Sequence, residues 1–497
     1  MKTVTGGQGV RTVREAPGAS RALFWSFSNT AVSRLGTLGI GIVLARVLGP
    51  EEFGTYAVAF VALMAILSFN ELGVSLAIVR WPGDPREIAP TVTTISIVSS
   101  AVVCIGGYAL APWFSAVMGD PDATDVVRLL VLSVLVNGVV ATPAALLQRE
   151  FRQGTRMIID QVNVWVGAVL SVTLALLGWG AMSLAVGRIA GTVLSGVLFL
   201  VFSPLPYRLG FDRRHVNALL SFGLPLAGAS LIVFFVSYAD QLVAGRYLGA
   251  TMLGFYVLAF NLASWPVSMF SQPLRSVAPA AFSRLQHDTA AMNTAFRSTL
   301  RVLAAAALPV CFFLAGASDP VIRFVYGDVW APAATALTWL ALLAAFRIIF
   351  ELAYDFLVVL RKSGSLFQIQ IWWLAALVPA LIGGALWGGL GGIGLAQVVV
   401  AASIVLPLYL WRLKKTGILI RHVARPIVLP LAGGLLVLAA GLLAGTAIEN
   451  PFLAALPSGL LALAVMGLLL HRERDTLRSL RSLGTVPADA GVGGGAQ

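Results

Sequence analysis

Charged residues are scarce in this sequence, and their scarcity limits the class of protein to which it can belong. They make up 11% of the 497 residues, whereas hydrophobic residues make up 58% and the mean hydropathy is +0.88. A soluble globular protein is about a quarter charged, so this composition excludes that class. It also excludes a disordered chain, which needs low hydrophobicity. The apolar excess therefore predicts a membrane protein, because each span needs roughly 20 mostly apolar residues.

Cysteine and histidine are also rare. The two cysteines, Cys104 and Cys311, both lie in apolar runs, where a thiol behaves as a small hydrophobic side chain. The four histidines all lie in segments predicted to face the cytoplasm. We therefore expect no disulfide scaffold, no metal centre and no organic cofactor. The sequence also lacks a nucleotide-binding cassette, so any work would draw on an H⁺ or Na⁺ gradient, the membrane potential or downhill substrate flow.

Apolar segments long enough to cross a bilayer recur about fourteen times. They predict an all-α polytopic membrane protein with two parallel six-helix lobes and two C-terminal helices. The predicted parts are a cytoplasmic N-terminal tail (1–21), an N-lobe with spans 1–6 (22–203), a cytoplasmic linker (204–216), a C-lobe with spans 7–12 (217–411), a basic linker followed by spans 13–14 (412–470), and a cytoplasmic C-terminal tail (471–497).

Basic residues are distributed unevenly between the two predicted sides of the membrane. Alternate loops and both termini carry most of the lysines and arginines, whereas the opposite loops carry Arg323 together with many of the acidic residues. By the positive-inside rule, both termini lie in the cytoplasm and the protein is a multi-pass protein of the cytoplasmic (inner) membrane. Membrane orientation accounts for the net charge of +12, so we expect no nucleic-acid partner.

The sequence around the turn of the first predicted hairpin recurs 200 residues later. Residues 46–60 and 246–260 share an arginine, a leucine, two glycines, a tyrosine, an alanine and a phenylalanine at matching positions. A weaker echo relates the segments beginning at Gly180 and Gly391. The repeated unit has six spans, an even number, so both copies enter the membrane the same way round. The pattern predicts two lobes related by an axis along the membrane normal.

Polar residues inside the spans are the candidates for function, since a charge at mid-bilayer costs about 2.5–3.5 kcal/mol and usually faces a cavity or a partner. Guanidinium groups suit phosphate and amides suit sugar hydroxyls, whereas carboxylates suit cations. The substrate-binding candidates are Arg34, Asn70, Arg275, Arg347 and Gln368, and the ion-coupling candidates are Glu71, Asp240, Glu351 and Asp355.

Structural roles compete with these assignments. Arg34 and Glu71 lie at depths that would let them pair across the first hairpin, which would make Arg34 a structural residue. Arg347, Glu351 and Asp355 follow i, i+4, i+8 on one helix face. This spacing is compatible with an internal ion-pair ladder or with a cation-coupled gate.

Four motifs together resemble the bacterial polysaccharide transporter family. They are Phe24–Phe27, the segment Arg46–Tyr56, the turn Leu147–Arg152 and the link Gly178–Gly180. The family includes O-antigen and exopolysaccharide flippases and belongs to the multidrug/oligosaccharidyl-lipid/polysaccharide exporter superfamily. The resemblance implies a flippase, not an enzyme, that moves an undecaprenyl-diphosphate-linked oligosaccharide from the cytoplasmic to the periplasmic leaflet by alternating access of its two lobes.

The resemblance also implies partners: the lipid-linked oligosaccharide, membrane lipids, and a polysaccharide polymerase with glycosyltransferases. Chemistry alone places the diphosphate between Arg34 and Arg347, one from each lobe. Two alternatives remain open. One is a cation-coupled multidrug or small-solute antiporter of the same superfamily, and the other is a membrane glycosyltransferase or polymerase.

Overall fold

The structure is a computed structural model, and it describes residues 19–69, 74–271 and 289–476. In these residues it consists of α-helices joined by turns and by short 3₁₀ and π segments, without a β-strand. In chain order the helices are α1 (Ala19–Phe69), α2 (Ser75–Arg80), α3 (Pro85–Val117), α4 (Thr124–Val131), α5 (Ser133–Arg149), α6 (Gln153–Leu176), α7 (Ala181–Val201), α8 (Arg213–Leu248), α9 (Ala250–Pro266), α10 (Thr289–Gly316), α11 (Ser318–Tyr326), α12 (Ala333–Val359), α13 (Ser363–Val400), α14 (Leu406–Lys414), α15 (Ile420–Ala447) and α16 (Pro451–Arg472).

Within the described residues, 12 helical runs are long and apolar enough to cross a membrane, judged by length and composition. Two of these runs contain a break, because Gly49 in α1 and Gly389 in α13 leave the helical conformation. At the second break the chain folds back, since a Cβ on Gly384 would lie 2.3 Å from the carbonyl oxygen of Gly392. The all-α membrane fold is confirmed, whereas the count of about fourteen spans stays a prediction.

Helices α1 to α7 form the N-lobe, in which close packing depends on small residues. A Cβ on Gly187 of α7 would lie 2.5 Å from the carbonyl oxygen of Gly167, and one on Gly191 would lie 2.4 Å from that of Asn163. Glycines at these positions let α6 and α7 approach backbone to backbone, as is common between helices in lipid. Leu63 of α1 packs with α4 in the core of this lobe.

Helices α8 to α14 form the C-lobe, and α15 and α16 pack beside it. Its core contains the buried aromatic side chains of Phe296, Trp330 and Phe356. A Cβ on Gly316 of α10 would lie 2.6 Å from the carbonyl oxygen of Leu438, so α15 rests directly on α10. The two C-terminal helices therefore extend the C-lobe outward.

Left-handed backbone conformations recur at equivalent turns of the two lobes. The three pairs are Gly49 (φ 75°, ψ 175°) with Gly249 (φ 88°, ψ 172°), Phe151 (φ 56°) with Arg361 (φ 54°), and Gly180 (φ 55°, ψ −141°) with Gly389 (φ 55°, ψ −133°). Positive φ is uncommon, above all outside glycine. Matched pairs at spacings of about 200 to 210 residues support the internal duplication predicted from the sequence, and they pair Gly180 with Gly389 rather than with the Gly391 of the weaker sequence echo.

The lobes meet at the ends that carry Gly49 and Gly249, the side that the charge pattern predicts to be periplasmic. A Cβ on Gly54 of α1 would lie 2.3 Å from the carbonyl oxygen of Ala250, and one on Gly254 of α9 would lie 3.0 Å from the Cα of Gly54. We call this contact of Gly54, Ala250 and Gly254 the outer seam. Its tightness means that the structure is closed on this side.

Candidate functional site

A cavity of about 410 Å³ lies within the C-lobe, among α8, α9, α12 and α13, and we call it the C-lobe cavity. Its polar lining consists of Ser237, Asp240, Arg347, Glu351, Tyr354, Gln370 and Gln397. Charges of both signs thus face a common space inside otherwise apolar helices. Such groups in a membrane domain usually mark a path for a substrate or an ion.

Asp240 is held in a hydrogen-bond network that joins three helices. The Tyr256 hydroxyl of α9 donates to Oδ2 at 2.8 Å, and Nε2 of Gln397 in α13 donates to the same oxygen at 3.3 Å. The backbone N–H of Gln241 donates to Oδ1 at 2.8 Å, and Gln397 Nε2 also donates to the Tyr256 hydroxyl. Asp240 is only 4% exposed, so these donors offset the loss of its hydration.

Arg347 lines the C-lobe cavity and contacts a residue of a second space, between the lobes. Its Nη1 donates to Oγ of Ser264 at 3.2 Å, and its guanidinium lies over the Phe260 ring, 5.6 Å from the centroid. Ser264 also lines a crevice of about 430 Å³ between α1 and α9, which we call the inter-lobe crevice. The arginine is therefore one side chain away from the inter-lobe crevice, which suits a residue that contacts a ligand passing between the lobes.

Glu351 lies one turn along α12 from Arg347 and contacts a π segment. Ser271, in the π segment Val267–Ser271 that continues α9, donates through Oγ to Glu351 Oε2 at 2.6 Å. Such π segments are frequent at functional sites because they redirect side chains within a helix. Arg347 contacts α9, and Glu351 contacts the π segment that continues it. The two residues also lie four positions apart on one face of α12.

The structure brings three of the predicted residues, Asp240, Arg347 and Glu351, into one cavity. Asp355 is buried one turn beyond Glu351 and is outside the cavity lining. Gln368 needs correction as a cavity residue: its side chain is exposed and accepts a hydrogen bond from Arg412. Gln370 lines the cavity instead, because two positions along a helix differ by about 200° in direction.

The remaining predicted residues lie outside the part of the chain that the structure describes. Asn70, Glu71 and Arg275 fall in the segments left out. Arg34 lies on the α1 backbone, but its side chain is also outside the described part. Their roles, including an ion pair between Arg34 and Glu71, stay predictions.

A second intramembrane arginine, Arg188 of α7, was not among the predicted site residues. Its guanidinium lies over the Phe60 ring, 5.3 Å from the centroid, and lies near the Tyr56 hydroxyl. Tyr56 and Phe60 belong to the repeated segment 46–60, so the sequence contained a signal. The repeated aromatic residues indicated that the two lobes have similar surroundings at these positions. In the N-lobe those surroundings include Arg188, which lies on a different helix.

Two arginines of the family-like motifs hold helix ends. At the C-terminal end of α11, Arg46 donates to the Phe324 carbonyl through Nη2 at 2.6 Å and to the Val325 carbonyl through Nε at 2.8 Å. At the C-terminal end of α2, Arg149 donates to the carbonyls of Ile78 at 2.5 Å, Trp81 at 2.8 Å and Gly83 at 2.9 Å. Unpaired carbonyls at helix ends attract cations, so both side chains have structural roles.

Comparison with known proteins gives a consistent result. Residues 43–335 match a protein family described as "Polysaccharide biosynthesis protein". The chain is 27% identical over 381 residues to the succinoglycan biosynthesis transport protein ExoT of Rhizobium meliloti, covering 75% of each chain. It is 24% identical over 380 residues to the lipopolysaccharide biosynthesis protein WzxC of Escherichia coli, covering 74% of this chain and 77% of that one.

Solved structures share the fold. The lipid II flippase MurJ in an inward closed conformation superposes with a TM-score of 0.75 at 15% identity, covering 91% of this chain and 99% of that one. An inward-facing multidrug resistance MATE family transporter of the MOP superfamily superposes with a TM-score of 0.60 at 15% identity, covering 78% and 99%. Identities this low show the fold alone, and that fold agrees with the all-α membrane architecture described above.

Proposed function

The chain belongs to the polysaccharide biosynthesis protein family, and on this premise we propose that it is a flippase for undecaprenyl-diphosphate-linked oligosaccharide repeat units. It moves them from the cytoplasmic to the periplasmic leaflet of the cytoplasmic membrane for the synthesis of an O-antigen, capsule or exopolysaccharide. The observation that carries the proposal is the charged C-lobe cavity inside apolar helices, where Arg347 contacts Ser264 of the inter-lobe crevice.

The chemistry of the cavity suits a lipid with an anionic, sugar-bearing head. A diphosphate cannot enter hydrocarbon unaided, and a guanidinium group holds phosphate oxygens through two parallel charge-assisted hydrogen bonds. Asn261 and Ser268 in the inter-lobe crevice and Gln370 in the cavity offer partners for sugar hydroxyls. The prenyl chain stays in lipid while the head passes between the lobes.

The closed outer seam defines one state of an alternating-access cycle. Beyond the seam lies a space of about 750 Å³ lined by the carboxylates of Glu51, Glu52, Asp120 and Asp122. Once the seam opens, these carboxylates repel the diphosphate and favour its release to the periplasmic side. The basic loops on the opposite side attract it at the start of the cycle, with both termini in the cytoplasm.

Asp240 is the leading ion-coupling residue in this proposal, with Glu351 beside the same cavity. Tyr256, Gln397 and Gln241 direct donors at the carboxylate. Adding a proton to Asp240 would force a donor to turn away and would alter the link between α8, α9 and α13. Na⁺ would instead need several oxygen ligands. We therefore favour H⁺ as the coupling ion, with no other cofactor.

The neighbouring enzymes follow from the substrate. Glycosyltransferases complete the repeat unit on the cytoplasmic side and supply the flippase, and a polymerase consumes the repeat unit on the periplasmic side. The chain itself is a transporter rather than an enzyme in this scheme, since its two lobes offer a passage and the proposal requires no bond to be made or broken.

The proposed function is tested with purified protein in liposomes. A fluorescent undecaprenyl-diphosphate oligosaccharide is placed in the outer leaflet, and the fraction accessible to a soluble glycosidase is followed with time. We expect accessibility to fall faster than in protein-free liposomes, with no new glycosidic bond by mass spectrometry. New bonds would identify a glycosyltransferase or polymerase. Export of cationic dyes without lipid movement would identify an antiporter, and either result would overturn the proposal.

A further inference from the structure

Each lobe presents an arginine over an equivalent phenylalanine ring. In the N-lobe, Arg188 of α7 lies 5.3 Å from the centroid of Phe60. In the C-lobe, Arg347 of α12 lies 5.6 Å from the centroid of Phe260. Phe60 and Phe260 are the last residues of the repeated segments 46–60 and 246–260. The two guanidinium groups come from different helices of their lobes, yet they lie over repeat-related rings.

The two rings lie at the same depth in the membrane. Phe60 follows Gly49 by eleven residues, and Phe260 follows Gly249 by eleven residues. At a helical rise of 1.5 Å per residue, each ring is about 16 Å from the outer turn of its hairpin. The apolar core of a bilayer is about 30 Å thick, so both arginines lie near its middle.

Both arginines also face the boundary between the lobes. Arg347 contacts Ser264, which lines the inter-lobe crevice. The phenylalanine rings under the two arginines lie six residues beyond Gly54 and Gly254, which touch across the outer seam. Both guanidinium groups therefore lie over elements that meet at the boundary between the lobes.

Each guanidinium retains the capacity to bind an anion. Stacking on an aromatic ring uses the flat face of the group, whereas its N–H donors lie in the plane at its edge. The described direct contacts of the two groups are with neutral partners: Ser264 for Arg347 and Tyr56 for Arg188. These contacts use only part of the five donors of each arginine.

We propose that Arg188 and Arg347 form one two-armed site for the diphosphate of a prenyl-linked substrate, with one phosphate held by each lobe. This inference rests on the proposed function and makes Arg188 the N-lobe partner of Arg347. A ligand bound to both arms at mid-membrane couples the two lobes. Its binding on one side and release on the other then follow the relative movement of the lobes.

The equivalent positions also show that the lobes have specialised. Counted from Gly180 and Gly389, Arg188 and Gln397 both occupy the eighth following position, and they contact the repeat-related Tyr56 and Tyr256. The C-lobe adds Asp240 to this arrangement, 200 residues after Ile40 of the N-lobe. The arrangement around Tyr56 in the N-lobe thus carries an arginine, and the arrangement around Tyr256 in the C-lobe carries a carboxylate. In this proposal anion binding and ion coupling are therefore assigned to different residues.

Binding of farnesyl diphosphate to the full chain in nanodiscs tests the site. We expect one farnesyl diphosphate per chain and clear discrimination against farnesyl monophosphate. Arg188→Gln and Arg347→Gln should each weaken diphosphate binding about 10- to 100-fold and remove that discrimination, because one phosphate loses its charged donors. Arg188→Lys should restore little, since ammonium lacks the planar fork of donors.

Arg246→Gln is the matched control, because Arg246 also lies near an aromatic ring, that of Tyr247 at 6.0 Å, but is exposed at the outer end of α8. It should bind the probe as the unmodified chain does. Thermal unfolding of each variant checks that it is folded. If Arg188→Gln does not fold, Arg188→Lys replaces it as the test variant. Unchanged affinity in a folded Arg188 variant, or two probes per chain with one lost per variant, would overturn the inference.

Transport separates this inference from the proposed function. If the unmodified chain does not move the lipid-linked oligosaccharide, the function fails. If it does and Arg188→Gln moves it at the same rate, the function stands and the two-armed site is wrong. We expect both single variants to reduce the rate about 10-fold or more and Arg246→Gln to leave it unchanged.

Discussion

Arg46 and Arg246 occupy matching positions of the repeat but have different surroundings. Arg46 donates to two carbonyls at the end of α11, whereas Arg246 lies over the ring of Tyr247. The repeat gives the two arginines the same position in the sequence of each lobe. Arg46 makes the helix-end contact because α11, in the C-lobe, ends beside the first hairpin of the N-lobe. The contact therefore links the two lobes.

Replacing Arg46 should therefore destabilise the protein. We expect Arg46→Ala to cost about 1–2 kcal/mol, since it removes two hydrogen bonds from a charged donor at a partly solvated helix end. Thermal unfolding of the detergent-solubilised protein measures the loss. Arg246→Ala is the control and should change stability much less. Equal effects of the two substitutions would contradict the role assigned to Arg46.

Asp240 is the residue at which ion coupling is most directly testable. In the unmodified protein the Asp240 carboxylate accepts hydrogen bonds from its neighbours. In Asp240→Asn an NH₂ group faces the same donors, so we expect a loss of about 1–3 kcal/mol in stability. The rate of lipid movement should also lose its dependence on an imposed pH gradient. Asp160→Asn is the control, because Asp160 is an exposed residue of α6 that lies 3.9 Å from Arg156. Gradient dependence that survives in Asp240→Asn would exclude this carboxylate.

Single residues were only partly predictable from the sequence. Asp240, Arg347 and Glu351 were predictable as cavity residues because an intramembrane charge needs a cavity or a partner. Gln368 was chosen over Gln370 because the direction of a side chain depends on helix rotation, which hydropathy does not specify. Arg188 was not selected because its partners, Tyr56 and Phe60, lie on another helix and only the fold brings them together.

The hairpins of α1 and α9 control closure of the outer side. Gly54 and Gly254 let these elements touch backbone to backbone, and the same contact must separate when the lobes open outward. Closure is therefore sensitive to a single added carbon atom. The outer seam is a property of the paired hairpins rather than of either lobe.

Gly54→Ala should shift the protein away from the closed state, because its Cβ would lie 2.3 Å from the carbonyl oxygen of Ala250. Spin labels on Glu51→Cys and Thr251→Cys, which line the same outer space from opposite lobes, report the separation. We expect a longer mean distance between the labels. Gly106→Ala is the control, since no atom lies within 4 Å of its added Cβ. An unchanged distance in Gly54→Ala would contradict the assigned role.

Helices and their duplication were largely predictable, because apolar runs and the spacing of 200 residues are properties of the sequence itself. Some boundaries were not. Residues 126–147 form one mostly apolar run, yet the structure divides it between α4, which ends at Val131, and α5, which begins at Ser133. Hydropathy alone does not reveal this division.

In the proposed mechanism, the whole molecule combines an anion-binding boundary between the lobes with a carboxylate held inside one lobe. The two lobes share their turns and aromatic residues, but they differ at the positions that carry charge. A symmetric scaffold of this kind lets the lobes move against each other around a central ligand. We propose that the charged residues determine which ligand moves and which ion drives it.

The most direct measurement of this account is transport by a protein whose outer side is locked. Glu51→Cys and Thr251→Cys are joined by a reducible bifunctional thiol reagent, while Cys104 and Cys311 are buried. Movement of the fluorescent lipid-linked oligosaccharide across liposomes is measured before cross-linking, after it and after reduction. The account predicts that transport stops on cross-linking and returns on reduction, with each single-cysteine variant unaffected. Transport by the cross-linked protein at the unmodified rate would contradict it.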